Sequence, residues 1–176
     1  MLRPRPLAAL ALAAGLAASA PGQQAPPPTP PPCAALEHRQ FDFWLGDWDV
    51  EARGRLAGRN RISRLFGDCG LREEYVGARG GYTGSSFNLF DAARRVWHQT
   101  WVDNQGQLLL LEGGLVDGRM VLGGRQIDAE GKSAEQRITW TPNADGTVRQ
   151  LWEQSTDGGA TWTTLFDGLY RRRTPD

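Results

Sequence analysis

Turn-forming residues interrupt this chain about every ten residues, too often for the dozen or so residues that a crossover between parallel strands requires. Asp103-Asn104-Gln105-Gly106, Asp117-Gly118, Asn143-Ala144-Asp145-Gly146 and Asp157-Gly158-Gly159 supply residues that tolerate the positive φ of tight hairpins. Between such turns lie short strand-like runs at 44–53, 59–66, 71–76, 83–90, 96–103, 107–112, 119–123, 134–141, 147–154 and 161–171. About ten antiparallel strands without helical crossovers predict an all-β fold. A single up-and-down barrel is expected, because closure removes the exposed edges of an open sheet. A two-sheet sandwich is the alternative. A short helix or turn over 33–43 precedes the first strand.

The 176 residues fit one domain, expected at 33–173. Ahead of it, Arg3 and Arg5 form a basic start, Leu7 to Ala17 an apolar run and Ala18-Ser19-Ala20 a small-residue end. This is the pattern of a signal peptide over 1–22. Pro21 hinders cleavage after Ala20, so cuts after Ser19 or Gly22 compete with it. A membrane anchor is the weaker reading, since the apolar run is about 11 residues against the roughly 20 of a spanning helix. The mature chain is therefore expected in the periplasm or secreted, with no integral membrane segment. Residues 23–32 are rich in proline and predict an extended spacer.

Twenty basic and twenty acidic residues balance, which gives no electrostatic footprint for nucleic acid. Cys33 and Cys69 are the only cysteines, and in an exported chain two cysteines read most simply as one disulfide. Closing a loop of about 35 residues is worth roughly 3 to 4 kcal/mol on the chain-entropy estimate. A catalytic thiol at Cys69 lacks a paired histidine context.

Alternation places Trp97, Gln99 and Trp101 on one strand face and His98, Thr100 and Val102 on the other. In 83–90 it separates Gly84, Ser86, Asn88 and Phe90 from Ser85, Phe87 and Leu89. If the small polar face turns inward beside the indoles, the barrel holds a cavity with aromatic walls and amide or hydroxyl groups. Glu73 would add a carboxylate, alongside Leu71 and Tyr75. The candidate ligand-binding set is thus Glu73, Ser86, Asn88, Trp97, Gln99 and Trp101, and the guest a small apolar or aromatic molecule. The competing reading is that these polar groups satisfy one another or face solvent.

Ser155 to Trp162 fits S-x-D-x-G-x-T-W and resembles the Asp box of sialidases and other β proteins, a structural turn built on Asp157 and Trp162. Gly46-Asp47-Trp48 resembles the G-x-W signature of lipocalins and other calycins. That resemblance implies a tryptophan closing one barrel end beneath an arginine of the last strand, Arg171 or Arg172. A longer likeness joins 41–50, 84–91, 97–103 and 166–170, and is similar to an exported bacterial family of unknown function with a calycin-like barrel. It implies a fold and a compartment, and no established activity.

No catalytic constellation and no cofactor or metal set is expected. His38 and His98 stand apart, with no cysteine or carboxylate pair at ligand spacing. Some calycin-like barrels, the nitrobindins, bind haem through a histidine near the chain end, where this chain has none. The leading reading is a non-catalytic barrel for a small, partly apolar ligand. A structural or protein-interaction domain of the cell envelope, held out by the proline spacer, is the alternative. An enzymatic reading would need Glu73 and Gln99 inside a wet pocket with a strongly raised carboxyl pKa.

Overall fold

The alternating runs become ten antiparallel strands closed into one barrel in the computed structural model, which describes residues 30–128 and 130–173. They are β1 (Gly46–Ala52), β2 (Arg55–Leu65), β3 (Gly70–Gly77), β4 (Thr83–Asp91), β5 (Val96–Asp103), β6 (Leu108–Val116), β7 (Arg119–Ile127), β8 (Ser133–Pro142), β9 (Val148–Ser155) and β10 (Thr163–Arg172). Each pairs with its sequence neighbour, and β10 returns to β1 with Trp48 opposite Arg172. The sandwich alternative is excluded. The expected leader, and all of the spacer before Pro30, lie outside the described residues.

Two departures from the sequence reading have local causes. The first hairpin is tighter than expected, because Arg53 and Gly54 both take positive φ (51° and 70°) and β2 starts at Arg55. Strands β6 and β7 also run on through Gly113-Gly114 and Gly123-Gly124, which read as strand ends. A Cβ on Gly113 would overlap the Val121 carbonyl oxygen, and one on Gly124 the Leu110 carbonyl oxygen. Glycine here permits close backbone approach within the curved sheet.

The segment expected as a helix or turn is a pair of 3₁₀ turns, Leu36–Arg39 and Asp42–Trp44, packed across one barrel end. Phe41 and Trp44 are fully buried and stacked, with ring centroids 4.9 Å apart. Trp140 and Trp97 meet the Phe41 ring edge-on at 5.1 and 5.7 Å. These aromatics form a solid plug. Cys33 and Cys69 make the disulfide, tying the start of the domain to the β2–β3 turn.

Trp48 sits beside the plug, buried, and donates from Nε1 to the Trp44 carbonyl at 2.8 Å. Arg172 covers it with its guanidinium 4.5 Å from the ring and donates to the Leu45 carbonyl at 3.1 Å. Of the two arginines expected there, Arg172 takes the place. Arg171 instead pairs with Glu51 on the outside. Two arginines of β2 pair with acidic residues of β1 across the first hairpin, Arg59 with Asp49 at 3.4 Å and Arg61 with Asp47 at 3.7 Å.

The Asp-box turn closes β9 to β10. Asp157 accepts from the Ser155 hydroxyl, the Thr161 backbone N–H and the Thr161 hydroxyl at 2.7, 2.9 and 2.6 Å. These bonds, led by Thr161, hold its pKa down at about 2. Trp162 folds back to donate to the Gly159 carbonyl, and Arg137 stacks on its ring at 3.9 Å.

Candidate functional site

A cavity of about 220 Å³ opens at the end opposite the plug. Alternation on β3 and β5 turns Glu73, Tyr75, Gln99 and Trp101 into it, as the period-two pattern predicts. Strands β9 and β10 close the far side with Gln150, Trp152, Phe166 and Tyr170, while Tyr82 stands in the loop before β4. Leu109, Ile138 and Leu165 complete an apolar and aromatic wall.

A chain of buried polar side chains runs behind this wall. Gln99 Nε2 donates to Asn88 Oδ1 at 2.7 Å, and Asn88 Nδ2 donates to Ser86 Oγ at 2.9 Å. Ser86 Oγ then donates to Glu73 Oε2 at 2.6 Å. From the other flank Asn60 Nδ2 reaches Glu73 Oε1 at 2.7 Å and Tyr170 Oη at 3.2 Å, and the Tyr170 hydroxyl donates to Gln150. The donors converge on one carboxyl group.

Glu73 is 4% exposed. Burial raises its pKa from 4.5 to about 7, against the bonds from Ser86 and Asn60, which favour the ionised form. Burial also raises the pKa of Tyr75, Tyr82 and Tyr170. For Tyr75 and Tyr170 the Glu73 charge comes next, and for Tyr82 the hydrogen bond to Asp103. These phenols stay protonated at neutral pH. On β9, the Trp152 indole is fixed by its bond to Gln136 Oε1 at 2.7 Å.

Of the residues expected to touch a ligand, Glu73, Gln99 and Trp101 line the cavity. Ser86 and Asn88 stand behind it and hold Glu73 and Gln99. Trp97 is elsewhere. Its face is inward, but its depth puts it in the plug, where its Nε1 donates to Gln40 Oε1 at 3.1 Å. The sequence reading missed Asn60, Tyr82, Gln150, Trp152, Phe166 and Tyr170 as parts of the site. Phe166 and Tyr170 carried a signal, since they share a strand face with Arg172, but only closure of β10 onto β1 brings them opposite Glu73.

Among the described residues no group of three or more histidine, cysteine or acidic side chains could hold a metal ion. His98 lies outside, between Glu112 and Thr100. No described helix is long and apolar enough to cross a membrane. What the fold and cavity define is a closed ten-stranded barrel, plugged at one end and open to a small aromatic chamber at the other. No family model matches the chain, and no curated protein matches it in sequence.

Proposed function

We propose that this protein is an exported, calycin-like barrel that holds a small, partly apolar molecule without turning it over. The observation that carries the reading is the chamber itself: an aromatic wall with a few convergent polar groups, Glu73, Gln99 and Gln150, is the composition of a ligand pocket. The leader pattern at 1–22 and the disulfide Cys33–Cys69 support an oxidising compartment, periplasmic or external. The Arg172 cover on Trp48 supports the calycin likeness.

The enzymatic reading asked for a carboxyl group with a raised pKa in the pocket, and Glu73 is one. Its partners in the wall are protonated phenols, amides and indoles, with no serine, cysteine, histidine or lysine among the described lining residues. One carboxyl group that titrates near neutrality, with no nucleophile among the described lining residues, favours binding over turnover.

A protein-interaction role has its own support on the outer surface. Phe87 on β4, Val102 on β5 and Leu108 and Leu110 on β6 point outward, each about half exposed. Native mass spectrometry of protein taken from its own envelope separates the two readings. A small added mass, lost on denaturation, supports the ligand carrier. A stable protein partner with an empty chamber overturns it.

A further inference from the structure

We propose that the chamber takes a small organic cation, an amine or quaternary ammonium on an aromatic or short apolar body, with its charged end against Glu73. This deepens the ligand-binding reading and rests on it.

Charge pairing is the first reason. On the outside, carboxylates meet arginines: Asp167 with Arg149, Glu135 with Arg125 and Glu112 with Arg94, all at 2.8 Å. Glu73 has no such partner. Its hydrogen-bond donors are a neutral amide, Asn60, and a neutral hydroxyl, Ser86. Among the described residues the chamber wall contains no arginine, lysine or histidine. A buried carboxylate without a counter-charge is costly, and a bound cation supplies the one the protein omits.

The walls favour the same sign. Trp101, Trp152, Tyr75, Tyr82, Phe166 and Tyr170 bring six aromatic rings to the chamber. Ring faces carry negative potential and attract cations, most strongly where water is excluded. A carboxylate-bearing guest would be repelled by ionised Glu73. The chamber, at about 220 Å³, lies below the range of about 300–1,000 Å³ typical of drug-sized ligands, so the guest is small.

Proton linkage follows from the groups that face Glu73. Asn60 on β2, Ser86 on β4, Gln99 on β5 and Gln150 on β9 do not titrate. The titratable groups turned into the same chamber are the tyrosines 75 on β3, 82 in the loop before β4 and 170 on β10. Their raised pKa values leave Glu73 as the group that changes charge near neutrality. An ammonium ion binds the ionised form, so its affinity rises with pH through about 7.

The test is calorimetric titration of the full-length protein with phenethylamine, phenethyl alcohol and hydrocinnamate, which differ chiefly in the charge of one end. The amine is expected to bind at least about tenfold more tightly than the alcohol, and about tenfold more tightly at about pH 8 than at about pH 6. Hydrocinnamate should bind weakest. In Glu73→Gln, amine affinity should fall to that of the alcohol measured in the same variant, and its rise between about pH 6 and about pH 8 should vanish. The wild-type comparison stands even if that variant does not fold. Alcohol or acid binding as tightly as the amine overturns the cation assignment and leaves the carrier reading intact. Absence of binding by all three overturns both.

Discussion

Ser86 donates to Glu73 at 2.6 Å from the neighbouring strand, and its own oxygen accepts from Asn88, so the carboxyl group is braced from behind and faces the chamber. The bracing is fully internal. It fixes where a charge sits in the barrel without neutralising it.

That arrangement makes stability fall as pH rises. Glu73 has a folded pKa of about 7 against 4.5 unfolded, so the native state holds the proton more tightly. The contribution is complete below about pH 4.5, decreases as pH rises to about 7 and is gone above, a change on the order of 3 kcal/mol. Denaturant unfolding of wild type and Glu73→Gln across that window should show the difference between them shifting in favour of the variant as pH rises. A constant difference would show that Glu73 titrates normally.

Trp97 and Trp101 share a strand face and should respond differently. Trp97→Ala removes a fully packed plug residue and is expected to cost about 3–5 kcal/mol. Any of it that folds should retain the chamber. Trp101→Ala should cost less, because this indole is only partly buried, and should weaken ligand quenching of the remaining tryptophan fluorescence. Equal effects on binding would contradict the placement of Trp97.

Removing the Arg172 side chain deletes the stack on Trp48 and the bond to the Leu45 carbonyl. The expected loss for Arg172→Ala is about 1 kcal/mol, because Arg172 is exposed. Arg172→Lys keeps the charge but loses the planar stack and should recover part of it. Urea unfolding of the three proteins checks the order.

The disulfide gives the largest single effect outside the core. Cys33→Ser with Cys69→Ser is expected to lose roughly 3 to 4 kcal/mol. Thiol titration of the unreduced, denatured protein should find none free. Two free thiols would remove the link.

Strand number and topology were legible because hairpin turns carry chemical marks, as at Asp117-Gly118, and because inner and outer residues alternate. Period two also set Ser86 and Asn88 on one strand face, which the structure turns inward. Alternation gives the side of a strand and not the depth along it, which is why Trp97 and Trp101 could not be told apart. Glycine pairs were ambiguous in the same way, marking strand ends or close approach. The contact of Asn60 with both Glu73 and Tyr170 depends on register around the closed barrel, across 110 positions of sequence in the second case. No local pattern encodes such a meeting.

The chain enters and leaves the barrel at a common pole. Cys33 is fastened to the β2–β3 turn beside the aromatic plug, and the Arg173 N–H donates to the Asp47 carbonyl at 2.9 Å as β10 ends. Both ends of the described chain therefore lie at the plugged pole, away from the chamber mouth. The described entry and exit of the chain thus leave the chamber mouth to the loops at the opposite end.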